Sequence, residues 1–91
     1  MQLEFTKSFI KQTQLLPKSA KNTLNQIIEE LETSFDLAGI KNLKKLRSSK
    51  KDPKLYYRIR IGDYRAGFYM ENNTISFRIV AHRGEIYKNF P

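Results

Sequence analysis

LYYRIRIGDYRAGFYMENNTISFRIV, Leu55 to Val80, is the stretch whose pattern decides the fold. Leu55 to Ile61 alternates, with Leu55, Tyr57, Ile59 and Ile61 on one side and Tyr56, Arg58 and Arg60 on the other, the period of a half-buried strand. Gly62-Asp63 is a two-residue turn whose leading glycine suits a type II′ hairpin. Tyr64 to Met70 is the return strand, and Asn72-Asn73 makes a second tight turn because asparagine tolerates positive φ. Thr74 to Val80 completes a three-stranded antiparallel meander.

The turns set the register. Ile61 is expected opposite Tyr64, Arg60 opposite Arg65 and Arg58 opposite Gly67; across the next turn, Met70 faces Ile75, Phe68 faces Phe77 and Gly67 faces Arg78. One face then collects Tyr57, Ile59, Ile61, Tyr64, Ala66, Phe68, Met70, Ile75, Phe77 and Ile79, a core surface. The other collects Tyr56, Arg58, Arg60, Arg65, Gly67, Tyr69, Ser76 and Arg78, extended by Val80 and His82. Four arginines share that face with no carboxylate between them, and Gly67 leaves a trough between Arg58 and Arg78. Like charges across a ladder repel, so the arrangement costs stability unless an anion neutralises it.

Outward toward the N-terminus the pattern turns helical. After a short alternation over Gln2 to Phe5, Thr6 is an N-cap for a helix to about Leu15 with Phe9, Ile10 and Leu16 facing inward. Pro17 suits the first turn of a second helix, in which Ala20, Leu24, Ile27, Ile28 and Leu31 form one apolar stripe. So short a connection makes an antiparallel helical hairpin. Glu29, Glu30 and Glu32 read as a solvated helix face, since no histidine or second carboxylate group stands at ligand spacing. Thr33 to Pro53 reads as irregular and basic, pinned by Leu43 and Leu46, with Lys44, Lys45 and Arg47 along it. The expected fold is α+β: a short N-terminal strand, the helical hairpin, and the meander packed on the helices, all in a single domain over 1–91.

Ninety-one residues supply one small core, too little for a two-domain nucleotide-dependent enzyme or a barrel. No apolar run approaches a membrane span, and the N-terminus lacks the apolar stretch of a signal peptide. Without cysteine there is no disulfide framework, thiolate metal site or thiol nucleophile. A cytoplasmic protein without metal or small-molecule cofactor is expected. The net charge of +8 is lopsided: residues 1–40 carry four lysines against five acids, whereas 41–91 carry thirteen Lys and Arg against four acids. Such a field points to a polyanionic partner, nucleic acid or a strongly acidic protein.

Arginine forks bind phosphate bidentately, and Tyr56 and Tyr69 offer planes for bases to stack on. Cleavage that uses the RNA 2′-hydroxyl as nucleophile needs a base, cations for the phosphorane charge, and an acid for the leaving 5′-oxygen. Arginines supply the charge. His82, the only histidine, and Tyr87 are the candidates for proton transfer. The tail reads equally as a short helix or a loop, with Ile86 and Phe90 docking on the core.

Tyr56 to Phe90 (YYRIRIGDYRAGFYMENNTISFRIVAHRGEIYKNF) resembles the C-terminal half of the RelE/ParE superfamily of type II toxin–antitoxin toxins. The shared motifs are Tyr57-Arg58-Ile59-Arg60-Ile61-Gly62-Asp63-Tyr64-Arg65, for Y-R-[IV]-R-x-G-x-Y-R, and His82-Arg83 through Ile86-Tyr87, for H-R-x-x-[IV]-Y. The preceding strand, hairpin and LKKLR segment are also similar, so the resemblance spans the chain, with its specificity in residues 56–87.

The resemblance implies a small α+β toxin held inactive by an acidic antitoxin. RelE-like members cleave mRNA in the ribosomal A site without metal. Arg58 and Arg60 take the positions of paired strand basics, Arg65 the arginine of the Y-R step, His82 and Arg83 the basic segment before the tail, and Tyr87 the terminal tyrosine. The expected catalytic set is therefore Arg58, Arg60, Arg65, His82, Arg83 and Tyr87, with RNA bound by Lys44, Lys45, Arg47, Tyr56, Tyr69 and Arg78. ParE-like relatives with the same motifs poison DNA gyrase, so a gyrase inhibitor and an inactive RNA-binding member stand as alternatives. The expected partners are the acidic antitoxin, the ribosome and mRNA, with no membrane.

Overall fold

The computed structural model describes residues 1–47 and 51–91, apart from the side chains of Tyr87 and Asn89. Its elements are β1 (Gln2–Phe5), α1 (Lys7–Gln14), α2 (Lys18–Thr33), β2 (Leu43–Lys45), β3 (Leu55–Ile61), β4 (Tyr64–Glu71), β5 (Thr74–His82) and α3 (Arg83–Asn89). The strands form one five-stranded sheet in the order β1-β5-β4-β3-β2.

The expected α+β architecture is present, but the meander is the centre of a larger, mixed sheet. β1 joins it by pairing parallel to β5, Gln2 beside Thr74 through Phe5 beside Phe77. β2 lies inside the stretch expected to be irregular and pairs antiparallel with β3, Lys44 opposite Arg58. Three residues, two of them lysines, carry no alternation that reveals a strand; the open edge of β3 supplies the hydrogen bonds.

The β3–β4 register is as the turn residues dictate, from Ile61 opposite Tyr64 to Leu55 opposite Met70. Gly62 has φ 60°, and Asn72 and Asn73 have φ 52° and 63°, the left-handed backbone that each turn demands. Across the second turn Met70 faces Ile75 and Phe68 faces Phe77, but Gly67 then faces Ile79, not Arg78. Arg78 is the extra residue of a β-bulge. Because strand side chains alternate, one inserted residue inverts every position beyond it. Val80, expected on the basic face, is therefore 3% exposed in the core, and Ile79, expected in the core, packs beside Gly67 on the other side.

Thr6 caps α1, its Oγ1 accepting from the Phe9 N–H at 3.1 Å. Pro17 sits one position earlier than expected, as the N-cap of α2. Phe9 and Leu16 are buried as expected, whereas Ile10 is largely exposed. Phe9, Leu24, Leu31, Ile59, Phe68, Ile75, Phe77 and Val80 belong to one core between the helical hairpin and the sheet, with Ile27, Ile28 and Leu43 packed against it. Glu29, Glu30 and Glu32 face solvent.

β1 covers β5 only as far as Phe77. Beyond it, the Gln12 side chain of α1 takes over, its Oε1 accepting from the Val80 N–H at 2.9 Å. Gln12→Leu removes that acceptor and is expected to lower the unfolding free energy by about 1–3 kcal/mol in urea titration. An unchanged midpoint would show that solvent serves the Val80 N–H equally well.

Candidate nucleic-acid interface

The sheet face turned away from the helical hairpin carries the basic side chains. Arg58 stands between Lys44 and Gly67 on its rung, and Arg60 stands opposite Arg65 on the next. Asn42, Leu43, Lys44, Arg58, Arg60 and Arg65 line one cleft of 310 Å3 that no carboxylate side chain enters. Its geometry is fixed by the backbone. The Arg60 N–H donates to the Asn42 carbonyl at 3.0 Å, and the Arg65 Nη1 donates to the Gly62 and Tyr64 carbonyls at 2.8 Å each. Arg58 is 8% exposed and is not without an interaction partner in the fold. Partly restrained guanidinium groups facing one cavity make a site for an oxyanion.

Other expected site residues are distributed differently. Lys45 pairs with Tyr57 and so belongs to the opposite face from Lys44, and Arg47 follows the strand as an exposed residue. The bulge moves Arg78 away from Gly67; its guanidinium lies 5.6 Å from the centroid of Tyr69. Lys54 stands over the same ring at 5.1 Å. His82, expected on the arginine face, pairs with Tyr64 on the helix-covered side, their rings edge to face at 5.7 Å. Its Nδ1 accepts from the Gly84 N–H at 3.3 Å and so caps α3. Arg83 opens α3, its N–H bonded to the Asp63 carbonyl at 2.8 Å. Tyr87 falls within α3, and its side chain lies outside the described residues.

The trough expected at Gly67 is occupied. A Cβ there would lie 2.6 Å from Cδ2 of Phe90 and 2.9 Å from Cγ2 of Ile79, so the Phe90 ring fills the space the missing side chain leaves. The ring also meets Tyr56 edge to face at 5.7 Å. Ile86 is fully buried yet stands outside the main core. The tail is thus a helix that docks on the basic face, not on the core beneath the hairpin.

Two further groups escaped sequence reading. Asp52 accepts from the Lys54 N–H at 2.9 Å and, through its other oxygen, from the Tyr56 hydroxyl at 3.0 Å. The Lys54 N–H, then the Tyr56 hydroxyl, hold its carboxyl below the usual range against an opposing effect of burial. Burial, followed by the bond to Asp52, raises the Tyr56 phenol. The Asp-Pro-Lys turn before β3 was the available signal for this clamp. Nothing in the sequence pairs Phe90 with Gly67, because the contact joins residues distant in the chain.

Against this geometry, toxin RelE3 of Methanocaldococcus jannaschii is 38% identical over 92 residues, spanning 100% of both chains. The chain belongs to the RelE family of type II toxin–antitoxin toxins. The toxin's fold matches a crystal structure of a RelB–RelE antitoxin–toxin complex from Methanococcus jannaschii with a TM-score of 0.75 at 36% identity, covering 97% of this chain and 99% of that one. A RelE–RelB complex from Pyrococcus horikoshii shares the fold at a TM-score of 0.75 and 24% identity, over 92% and 96% of the two chains. No family model matches the sequence. Among the described residues of this RelE-family toxin, no helix is long and apolar enough to cross a membrane, and no three His, Asp or Glu side chains gather as metal ligands.

Gly67→Ala is expected to destabilise the toxin by about 1–3 kcal/mol through overpacking against Phe90 and Ile79. Adding Phe90→Ala should recover part of that loss; strictly additive costs in a denaturation cycle would show that the ring does not fill the Gly67 hollow. The Asp52 clamp gives a pH signature. A carboxyl whose folded pKa is lowered contributes fully above its ordinary pKa, and the contribution is lost as pH falls through the folded value. Asp52→Asn should therefore narrow the fall in melting temperature between about pH 6 and pH 3. Parallel melting curves for the two proteins would sink that assignment.

Proposed function

We propose that this toxin is a ribosome-dependent mRNA endoribonuclease whose scissile phosphate is held in the cleft of Lys44, Arg58, Arg60 and Arg65. The observation that carries the reading is the convergence of these cations on one carboxylate-free cleft, the three arginines at positions matching the family motif. Arginine stays protonated at every physiological pH, so these groups neutralise charge and do not act as bases.

In the proposed reaction the 2′-oxygen attacks the adjacent phosphorus while the bond to the 5′-oxygen breaks, leaving a 2′,3′-cyclic phosphate and a 5′-hydroxyl. The proton of the 2′-hydroxyl passes to a base, and the leaving oxygen takes up a proton. Negative charge grows on the equatorial phosphoryl oxygens, where the arginine donors contribute most. Tyr87, carried by α3 over the basic face, is assigned proton transfer, with Arg83 as a further cation beside the tail. His82 is assigned to capping α3, because its Nδ1 is engaged there and it projects from the other sheet face.

The ribosome would place the mRNA strand against a protein too small to enclose it. The solved relatives are in complex with RelB, and a RelB-type antitoxin rich in acidic residues would neutralise the basic half of this chain. Both roles put the toxin in the cytoplasm.

Induced expression of wild type should arrest growth and produce new mRNA 5′ ends in ribosome-bound messages. Arg65→Ala should lower the cleavage rate by about 10²–10³-fold, the usual cost of removing one donor to a developing oxyanion. Tyr87→Phe should abolish cutting while leaving the melting temperature unchanged. Growth arrest without new ends would replace this reading with inhibition of DNA gyrase.

A further inference from the structure

The basic face carries a second hollow that the cleavage chemistry does not use. Ser8, Gln12, Lys54, Tyr56, Tyr69 and Arg78 line 380 Å3 of space, closed on one side by Ile79, Phe90 and Pro91. Gln12 is oriented within it by the fold. Since its Oε1 accepts from the Val80 N–H, its Nε2 amino group is the end turned away from β5. Lys54 and Arg78 are both drawn to the Tyr69 ring, at 5.1 and 5.6 Å from its centroid. A cation resting on an aromatic ring keeps its charge and loses less freedom on meeting an anion.

The remaining groups sharpen the chemistry. The Tyr56 hydroxyl is spent as a donor on Asp52, and no carboxylate side chain lines the hollow. The lining side chains carry an ammonium, a guanidinium, an amide N–H2 and the hydroxyls of Ser8 and Tyr69. That set suits a tetrahedral oxyanion that accepts from several directions. Base stacking, the other use of two tyrosines, is closed off here. Tyr69 has two cations against it, and Tyr56 meets Tyr69 and Phe90 edge to face.

Position selects the source of the anion. Tyr69 and Arg65 lie four residues apart on β4, about 13 Å at the rise of a strand. Gly67, with Phe90 in its hollow, stands midway. A polymer that carries a charge on every unit meets both cation groups as it crosses this face. We propose that the hollow is a second anion site, taking a backbone phosphate of the same single-stranded RNA whose scissile phosphate lies at Arg58, Arg60 and Arg65. The proposal rests on the nuclease reading for that second phosphate, but its test does not depend on cutting.

The full chain would be titrated by fluorescence anisotropy with 2′-O-methyl oligoribonucleotides of two and six nucleotides, which cannot be cleaved. Wild type should prefer the longer strand. Arg78→Ala and Lys54→Ala should each weaken hexanucleotide binding by about tenfold, leave the dinucleotide unchanged, and lower the salt slope by about 0.7. Arg78→Lys should restore most of the affinity, which separates loss of charge from misfolding. Equal hexanucleotide affinity and salt slope in wild type and both alanine variants would overturn the site. So would variants that lose binding of a polyglutamate peptide while keeping that of the hexanucleotide, since the occupant would then be an acidic protein. If the variants behave as expected but wild type cuts no mRNA in cells, the phosphate site stands and the nuclease reading alone falls.

Discussion

Arg58, Arg60 and Arg65 are held on adjacent rungs of one sheet against their mutual repulsion, and the rest of the molecule answers to that constraint. Like charges across a ladder are destabilising, and the penalty deepens for a guanidinium as shielded as that of Arg58. The opposing term lies on the other side of the same strands. Ile59, Ala66, Phe68, Ile75 and Phe77 are completely buried under the helical hairpin, so the ladder is fixed by apolar packing whatever its outer face carries. A surface strained in this way is relieved by an anion. A ligand that bound such a face in the folded form would stabilise the toxin by mass action.

The bulge at Arg78 gives the basic face its second feature. A regular ladder would put Arg78 beside Gly67 and make a continuous arginine trough. One extra residue sends Arg78 to the Tyr69 ring, brings Ile79 beside Gly67 and returns Val80 to the core. The space left at Gly67 is taken by Phe90, which fastens the end of α3 across the sheet. The face is thereby split into a cleft of arginines and a hollow of mixed donors, with the tail between them. Both consequences follow from a single break in alternation.

Much of this was legible in the chain. The alternation of Leu55 to Ile61, the glycine and asparagine turns, and the stripe of Ala20, Leu24 and Leu31 foretold the meander, its first register and the helical hairpin. Grouping Arg58, Arg60 and Arg65 needed nothing beyond two-residue periodicity and a two-residue turn. The residues misplaced on β5 share a cause. Arg78, Ile79, Val80 and His82 all lie at or beyond the bulge, and a bulge leaves no local mark because both flanking segments alternate normally. β2 was missed because a three-residue strand is made by its neighbour's open edge and not by its own pattern.

Sequence alone thus determined the strands of the meander and the two helices of the hairpin, where the hairpins turn, and that the positive charge gathers in one half of the chain. These depend on local sterics, on side-chain period and on charge, all carried by neighbouring residues. Tertiary structure decided that β1 runs parallel to β5, that Gln12 closes the strand edge at Val80, that Phe90 fills the hollow over Gly67, and that His82 caps a helix on the far side from the arginines. Each of these joins a backbone group or a vacant volume to its complement, and the demand for complementarity appears only once the sheet has formed.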